Sequence, residues 1–435
     1  GGEMVGSSTS TLTLTGGLNI SVSNFKVTSA GTLSSVGKGF PGSTGPGAGQ
    51  SQGSGGSYGG RGGRSNLIPG QSGGPYGNYK YPTLQGSGGH TFNSAGGGGG
   101  GSLVLSVSKS ISMNGLIDMS GFEGTYYSTS SNRYQWGGGG GSGGSVLINT
   151  PLFEGTGTIK ANGGNGQLGC YYSRPDSCNS GAGSGGRLAI WSDVTTFSGS
   201  LQTKGGIGGV GYRGSAGTIY QHAPQSNVID RLIIDNMDTA SSQFVTPICN
   251  SKQTNYSVTN LHVMNQARVS FQAANLPSQQ RVTAQIGNLH GDASGTLDVI
   301  ALSNVLLSNN GLRHSPLNFE LTSQSVGPHE NVITSKTKYY MNDYLSSSMH
   351  IQVREAGILV TPPRLAVSNN TDIVVAGHLS GANSLIIGAS SSVTFKSTSH
   401  TDNKPANQFH FNDLVVEDGG TLNVEEIPSG TPGVS

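Results

Sequence analysis

Three twenty-residue segments of the chain share one alternation of apolar and polar positions. Each opens with two apolar residues that lie two positions apart: Leu103 and Leu105, Val146 and Ile148, and Leu188 and Ile190. A period of two places every second side chain on one face of a strand. Each segment therefore predicts a β-strand with one buried face.

A second inward position follows eleven residues later in each segment, behind a turn pair. The inward residues are Leu116, Ile159 and Leu201, and the turn pairs are Asn114-Gly115, Gly157-Thr158 and Gly199-Ser200. The segments begin at Ser102, Ser145 and Arg187, and a degenerate copy begins at Asn19, so the start-to-start distances are 83, 43 and 42. Since one coil of a parallel β-helix takes about twenty residues, this period predicts two coils or one coil with a long excursion.

Glycine recurs in phase with these segments. Of the 73 glycines, 60 lie in residues 1–220, and runs at 96–101, 137–144 and 181–186 precede the three copies. Glycine fixed in position indicates stacked corners or close approach of backbones, where no side chain fits. Residues 39–95 lack the alternation and predict a long glycine-rich insertion.

The second half has a similar β pattern with fewer glycines. Val269 and Leu297 lie in matching phrases 28 residues apart, and Val393 and Leu422 lie 29 apart. The patterns together predict an all-β chain, a right-handed parallel β-helix or β-solenoid with glycine-rich loops. Residues 1–220 form its glycine-rich part with the insertion at 39–95, and 221–435 continue the solenoid or hold a separate β-domain from about residue 310.

The charge and hydropathy of the chain argue against nucleic-acid binding and against a membrane span. Charged residues are 10% of the chain, against roughly 25% in ordinary domains, a composition typical of secreted β-rich surface proteins. Residues 1–220 carry a net charge of +6 and residues 221–435 a net charge of −5, but neither half clusters Lys and Arg as nucleic-acid-binding proteins do. No run approaches the roughly 18 apolar residues of a membrane span.

One phrase carries a family resemblance. The run GGGGGSGGSVLI, followed by GTGTIKANGGNG and GAGSGGRLAI, resembles the glycine-rich repeats of large surface proteins of bacteria, protists and plants. This resemblance covers about residues 96–220, and the GTL-V phrases of the second half resemble bacterial autotransporter adhesins. It implies a parallel β-helix at a cell surface or in an extracellular matrix, and it brings no catalytic residues.

The cysteines and glycosylation sequons indicate in which cellular compartment the protein is found. Cys170 and Cys178 bracket a short polar loop and predict a disulfide, with unpaired buried thiols as the alternative, while Cys249 has no evident partner. A disulfide would indicate an oxidising compartment. Sequons occur at Asn19, Asn255 and Asn369, and they support an extracellular location weakly.

The residues give little sign of catalysis. Pectin-degrading enzymes share the β-helix fold, but the carboxylate clusters that glycosidic cleavage needs are absent from the sequence. Asp230, Asp235 and Asp238 form a sparse group that we interpret as a solvated strand end. His262 and His290, 28 residues apart, predict a stacked pair on one face rather than metal ligands. We therefore predict no enzyme activity, metal or cofactor.

Aromatic residues offer the best candidate binding site. The loops between copies contain Tyr126, Tyr127, Tyr134, Trp136, Tyr171, Tyr172 and Tyr212, and the insertion contains Tyr58, Tyr76, Tyr79 and Tyr81. Stacked copies would bring these loops together, and such rings suit sugar faces or a subunit interface. The alternative is that they pack long loops against the wall of the solenoid.

These observations predict an extracellular structural or adhesive solenoid, with a carbohydrate-binding module and a polysaccharide lyase or hydrolase as alternatives. Neither terminus shows a capping helix, and the two halves differ in charge. Because uncapped strand edges pair with other molecules, we expect self-association head to tail into a filament, the repeating subunit of a surface fibre.

Overall fold

The computed structural model describes most of the chain. The described residues are 11–14, 16–51, 53–65, 72–91, 94–128, 135–171, 174–208, 212–237, 245–248, 255–271, 282–291, 295–299, 303–307, 317–321, 337–341, 349–353, 357–360, 364–367, 372–375, 378–398, 409 and 411–427. They belong to two compact units, the first formed by residues 1–250 and 264–269 and the second by 251–263 and 270–435.

Strands are the regular elements of the first unit. They are β1 (Thr11–Thr13), β2 (Gly17–Val27), β3 (Thr32–Ser34), β4 (Ser102–Met113), β5 (Leu116–Asp118), β6 (Tyr126–Ser128), β7 (Gln135–Gly137), β8 (Ser145–Glu154), β9 (Thr158–Lys160), β10 (Leu168–Tyr171), β11 (Arg174–Asn179), β12 (Arg187–Thr195), β13 (Ser200–Gln202), β14 (Thr218–Ala223), β15 (Ile229–Asp235) and β16 (Thr246–Ile248).

Two sheets of the first unit are built from the repeated segments. Long strands pair in the order β2-β4-β8-β12-β14-β15, parallel except for the last pair, and short strands pair in the parallel order β1-β3-β5-β9-β13. The prediction of an all-β chain with parallel sheets is confirmed. Because β4 pairs directly with β8, one 42-residue period contributes one strand to each sheet, followed by a long excursion.

The buried faces of the two sheets form the core. In the long-strand sheet Leu103 pairs with Val146 and Val146 with Leu188, and these residues are buried, as are Leu105 and Ile148. Each buried side chain of this size stabilises the fold by about 1.5–3 kcal/mol relative to exposure. The strand pattern read from the alternation is therefore the pattern that holds the first unit together.

One predicted inward position is wrong by one residue. Leu116 is half-buried and pairs with Thr158, whereas its neighbour Ile117 is buried and pairs with Ile159. The cause is a bulge in β4, where Ser106 and Ser110 pair with residues 149 and 152 of β8. An extra residue in one strand moves everything after it by one position.

The degenerate copy is also shifted. Gly17, not Asn19, pairs with Ser102, so the copy begins two residues earlier than the alternation suggested. Strands β2 and β4 are direct neighbours in the sheet, although the insertion lies between them in the sequence. Among the residues that the structure describes, the insertion contributes no strand to either of the two sheets.

Deleting Lys109 is expected to change the free energy of unfolding by less than about 1 kcal/mol, because Ser108 and Lys109 are two consecutive exposed residues at the bulge. Deleting Val104 instead should turn Leu105 and Val107 outward, since a one-residue slip flips successive side chains to the other face. That deletion should cost roughly 3–6 kcal/mol. Urea unfolding of both variants tests this, and equal losses would contradict the bulge assignment.

Beside the two sheets, extended glycine-rich segments pack side by side. We call them the glycine bundle, and they are residues 37–43, 53–65, 84–91, 95–101, 119–125, 137–144, 161–167, 180–186, 203–208 and 212–217. Adjacent segments are joined by backbone hydrogen bonds. The insertion supplies 37–43, 53–65 and 84–91, so much of it is a layer of this bundle.

Segment 137–144 is surrounded on all sides. Its N–H groups donate to three neighbours in turn, with Gly138, Gly141 and Gly144 bonding to 119–125, Gly139 and Ser142 to 84–91, and Gly140 and Gly143 to 180–186. Its carbonyls accept from 53–65, 95–101 and 161–167. A chain with about three residues per turn directs its N–H groups in this way, so the segment follows the period of a polyproline II helix and has six neighbours.

Such packing leaves no room for side chains. A Cβ added at Gly140 would lie 2.1 Å from the carbonyl oxygen of Gly164, and one at Gly141 would lie 2.1 Å from that of Gly98. In the outer segment 119–125 the condition applies to Gly121 and Gly124, whereas the intervening Phe122 is 49% exposed. Glycine is therefore required at every position of the inner segment 138–144 except Ser142, and at every third position of the outer segment.

Buried serines fix the insertion to the repeats. Ser142, Ser184 and Ser215 each lie three residues before a long strand, and each accepts a hydrogen bond from an insertion N–H: that of Ser87 at 2.8 Å, Tyr58 at 3.0 Å and Arg61 at 2.6 Å. A buried backbone N–H needs such a partner. These serines therefore join the insertion to the segments that lead into the long strands.

The second unit consists of further parallel strands. They include β17 (Asn255–Met264), β18 (Arg268–Phe271), β19 (Val282–Gly291), β20 (Thr296–Val299), β21 (Ser303–Leu307), β22 (Leu317–Leu321), β23 (Thr337–Met341), β24 (Met349–Val353), β25 (Gly357–Val360), β26 (Arg364–Val367), β27 (Asp372–Val375), β28 (His378–Ser380), β29 (Ser384–Ile387), β30 (Ser392–Thr398), β31 (Asp413–Val416) and β32 (Thr421–Ile427). Strands β17 and β18 each have residues in both units.

Three parallel sheets run through this unit, in the orders β17-β19-β21-β23-β25-β28, β20-β22-β24-β27-β30-β32 and β26-β29-β31. Val393 pairs with Leu422, which confirms the 29-residue spacing, and a 28-residue spacing relates Leu261 to Leu289. The second half therefore stacks strands in parallel as the first does.

Candidate functional site

The connections between repeats emerge at one end of the glycine bundle. Segments 119–125, 161–167 and 203–208 follow the short strands, and segments 137–144, 180–186 and 212–217 lead back into the long strands. Each outgoing segment bonds to the returning one in antiparallel orientation, so their connections lie at the end away from the strands. We call this the distal end.

Hydrogen bonds join the bases of these connections. The N–H of Thr125 donates to Ala95, the hydroxyl of Ser180 donates to the carbonyl of Gly137 at 2.5 Å, and the N–H of Ala182 donates to Tyr212. These bonds link the connection 91–95 to 125–138, 125–138 to 167–180, and 167–180 to 208–212. The bases of four connections therefore lie side by side, joined by hydrogen bonds.

Two of the connections are antiparallel hairpins. In the first, β6 and β7 pair Tyr127 with Trp136, and in the second, β10 and β11 pair Tyr171 with Arg174. Strand β7 also contacts β10. The backbone thus brings together successive connections that carry aromatic residues, as the stacking of copies predicted.

Only part of the predicted aromatic site can be described at side-chain level. The side chains of Tyr126, Tyr127, Trp136 and Tyr171, and the whole of Tyr134 and Tyr172, lie outside the described residues. Tyr212 is half-buried at the base of its connection. Binding by these residues stays a prediction, whereas the backbone places Tyr126, Tyr127, Trp136, Tyr171 and Tyr212 at the distal end.

The predicted covalent features are also incompletely described. The register of the second hairpin places Gly169 opposite Cys178, with an irregularity between Gly169 and Tyr171 that includes Cys170. The side chains of both cysteines, and Cys249, lie outside the described residues. Asn19 and Asn255 are exposed on β2 and β17, and Asn369 lies outside the described part.

Tyr58, Tyr76 and Tyr79 of the insertion follow the packing alternative, whereas Tyr81 is 54% exposed. Tyr58 and Tyr79 are buried, and the Tyr58 ring lies 4.7 Å from that of Tyr76 between centroids. Burial raises the pKa of the Tyr58 and Tyr76 hydroxyls above their usual range. The three rings anchor the insertion, and those of Tyr58 and Tyr79 offer no open face to a ligand.

Arg187 is a residue that the sequence reasoning missed. It is fully buried, its Nε donates to the carbonyl of Tyr76 at 3.1 Å, and its guanidinium carbon lies 5.6 Å from the centre of the Tyr58 ring. The signal was present in the repeat, because Arg187 pairs with Ser145 and Thr218 in a row that is otherwise small and polar. A lone cation in such a row indicates a partner from elsewhere in the chain.

Trp191 is a second missed residue. Its indole N–H donates to the carbonyl of Lys80 at 2.8 Å, and its ring stacks on Tyr81 with centroids 4.9 Å apart and planes 10° apart. The Tyr220 hydroxyl beside it donates to Asp230 at 2.7 Å, and burial raises the pKa of Tyr220. This cluster fixes residues 79–81 of the insertion to the long-strand sheet.

The candidate acids are engaged in structural contacts. Asp230 accepts from Tyr220, and Asp235 accepts from the N–H of Met237 and from Asn265, both at 2.7 Å. Asp238 lies outside the described residues. Asp118 contacts Lys160 at 3.0 Å beside a shallow groove of about 460 Å³ along the short-strand sheet. Asp118, Asp230 and Asp235 therefore each have a partner within the fold.

The histidine prediction is confirmed in its geometry. The rings of His262 and His290 stack with centroids 4.3 Å apart and planes 16° apart. Burial lowers the pKa of His290 below its usual value. Within the described residues no three His, Cys, Asp or Glu side chains are grouped as metal ligands.

Comparison with known proteins gives no family assignment. No protein-family model matches the chain, and neither the curated proteins nor the solved structures yielded a match. In the part of the chain that the structure describes, no helix is long and apolar enough to cross a bilayer.

Proposed function

We propose that this chain is an extracellular structural or adhesive protein whose glycine bundle presents the distal connections as a binding surface. One observation carries the proposal: the bases of four connections lie side by side, joined by inter-segment hydrogen bonds. Binding residues concentrate on loops that a rigid scaffold positions. The inner segments supply that scaffold, because a backbone with six bonded neighbours has little freedom to move.

The finer fold that we propose is a right-handed parallel β-helix. Its support is the alternation of the chain between two parallel sheets, with β4, β8 and β12 in one and β5, β9 and β13 in the other. Crossovers between parallel strands are right-handed in about 98% of cases. Membership among glycine-rich surface proteins, with a weaker likeness to autotransporter adhesins, is part of the same proposal.

The ligand class that fits the distal end best is a glycan. Tyr127 and Trp136 are paired across the first hairpin, and Tyr171 lies in the neighbouring one. Tyr and Trp rings present flat apolar faces with a polar handle, which suits sugar rings. We infer that the protein is not an enzyme, since Asp118, Asp230 and Asp235 are each held in a structural hydrogen bond or ion pair.

Replacing residues 126–136 with a short Gly-Ser turn is expected to lower glycan binding about tenfold or more, because aromatic contacts dominate such interfaces. The thermal unfolding midpoint should stay unchanged, since the bundle bonds begin at Thr125 and Gly138. Binding to an array of defined oligosaccharides provides the measurement.

In the matched control the same Gly-Ser turn replaces residues 155–157. These residues form the turn between β8 and β9, away from the distal end. That variant should bind as the parent does. Equal binding by the parent and the hairpin variant would overturn the distal end as the site, and an array with no positive glycan would leave a purely structural role.

Self-association into a filament completes the proposal. It is supported by the opposite net charges of the two halves, +6 and −5, since heterologous contacts that do not close produce filaments. Assembly steered by exposed charges should slow as salt rises above about 0.15 M, where screening acts over about 8 Å.

A further inference from the structure

The contact between the insertion and the long-strand sheet leaves one aromatic ring open. Tyr81 stacks on Trp191 with centroids 4.9 Å apart and planes 10° apart, yet 54% of Tyr81 is exposed. A stacked partner covers one face of a ring, so the exposed part of Tyr81 includes its opposite face. The two rings therefore form a platform, with Trp191 on the sheet and Tyr81 outermost.

The Tyr81 ring is not needed to anchor the insertion. Its neighbours already do so, because Tyr79 is buried with its ring edge-on to Tyr220, and the carbonyl of Lys80 accepts the indole N–H of Trp191. Burial of apolar surface is what stabilises such anchors. An exposed ring adds little of that stabilisation, and it is available to contact a ligand.

Polar side chains lie beside the platform on the same face of the sheet. Trp191 pairs with Asn149, and Asn149 pairs with Ser106, and both polar residues are exposed. On its other side Trp191 pairs with His222, which is half-buried. Residues paired in register project to one face, and neighbouring strands are about 4.8 Å apart. Hydrogen-bonding groups therefore flank the rings within reach of one bound molecule.

Two charged groups contact the aromatic cluster, and they have opposite signs. The Nζ of Lys80 lies 5.0 Å from the centre of the Tyr220 ring, and Asp230 accepts a hydrogen bond from the Tyr220 hydroxyl at 2.7 Å. Because these charges offset one another, the cluster selects neither an anion nor a cation. A ligand without net charge fits it best.

We propose that Tyr81, Trp191 and Asn149 form a second binding site, which takes a neutral pyranose sugar. A pyranose with equatorial hydroxyls presents faces of C–H groups that stack on an aromatic ring, while its hydroxyls point outward to polar neighbours such as Asn149. We call these three residues the sheet site. It lies on the long-strand sheet, apart from the distal hairpins, and it does not depend on the function proposed for them.

The hairpin variant with residues 126–136 replaced allows this site to be observed alone. It lacks Trp136, so Trp191 is its only tryptophan, and the indole N–H gives one peak in a proton–nitrogen correlation spectrum. Titration with methyl β-glucoside should shift that peak to saturation, with a Kd on the order of 1 mM for so small a ligand. Sorbitol, which carries hydroxyls without a ring, should give no saturable shift. Trp136→Phe in the full chain provides the same observation if the hairpin variant does not fold.

Substitutions then assign the binding to the exposed ring. Tyr81→Ala should weaken glucoside binding about tenfold or more, whereas Tyr81→Phe keeps the ring and should bind as before. Asn149→Ala, at an exposed site, should weaken it about two- to tenfold, the effect of one hydrogen bond. The matched control is Phe122→Ala, which removes a ring that is 49% exposed in the glycine bundle and should leave the affinity unchanged.

The outcomes separate a binding site from a structural stack and from the distal end. Tyr81→Ala should keep a single sharp indole peak, because the bond from Trp191 to Lys80 does not involve the Tyr81 ring. A shift that sorbitol reproduces, or one that Tyr81→Ala retains in full, would overturn the sheet site. Saturable binding at Trp191 would stand even if the distal hairpins bound no glycan, and its absence would leave the distal proposal unaffected.

Discussion

Substituting alanine for Gly140 should destabilise the first unit by about 3 kcal/mol or more, the upper end of the range for overpacking. The new Cβ would lie 2.1 Å from the oxygen of Gly164 and 2.7 Å from its carbonyl carbon. Both are backbone atoms, and the N–H of Gly164 is bonded to Gly141 in the same segment. Relief of the clash therefore requires two segments to separate, with the loss of several hydrogen bonds worth about 1 kcal/mol each.

Gly74 provides the matched control. It is exposed in the insertion, its φ is not positive, and no atom lies within 4 Å of an added Cβ. Gly74→Ala should be neutral or stabilising by about 0.4–1 kcal/mol, because alanine restricts the unfolded chain. Denaturant unfolding measures both, and amide exchange in 137–144 should rise only in Gly140→Ala. A loss below about 0.5 kcal/mol for Gly140→Ala would contradict the bundle packing.

Removing the Arg187 side chain is the second large effect that we expect. Its guanidinium donates to the carbonyls of Tyr76 and Tyr58 and to the Thr218 hydroxyl, and it lies over the Tyr58 ring. Arg187→Ala leaves these buried acceptors without their donor, at about 1–3 kcal/mol each, and creates a cavity. We expect a total loss of roughly 3–5 kcal/mol, with the insertion detaching first.

Fluorescence and a graded series test this expectation. Trp191 is bonded to Lys80 in the insertion, so its emission should shift as the insertion detaches, before the sheets unfold. Arg187→Lys keeps the charge but not the planar set of donors, and its loss should be intermediate. Lys26→Ala, at an exposed site, should change stability by less than about 0.5 kcal/mol. A single transition in Arg187→Ala with no early shift would show that Arg187 does not hold the insertion.

The strands of the first unit were predictable because the alternation of apolar side chains involves residues that are close together in the sequence. Leu103, Leu105, Val146 and Ile148 each follow the period of two, and they form the buried rows. The bulge was not predictable from that pattern. Ser108 and Lys109 are both polar, so the extra residue became visible only when β4 was paired with β8.

The bundle was predictable in part. Glycine in phase with the repeat indicated close backbone approach, and the clash at Gly140 agrees with that interpretation. The three-residue period was hidden, because an inner segment such as GGGGGSGG has no side chains to display it. Only an outer segment shows it, as Gly121 and Gly124 do around the exposed Phe122.

The candidate site was also predictable only in part. That successive loops would lie together followed from the repeat, whereas the place of Tyr58 and Tyr79 did not, because their partners Arg187 and Tyr220 lie more than a hundred residues away. Contacts of that separation leave no local pattern in either partner.

The crosswise bonding of the glycine bundle has a mechanical consequence. A pull on the connection 125–138 loads segments 119–125 and 137–144 along their length, while their hydrogen bonds run sideways to different neighbours. The bonds are then strained in shear and share the load, instead of opening one after another as they do when a strand is peeled from an edge. A ligand held at the distal end would therefore transmit tension into the sheets before the bundle yields.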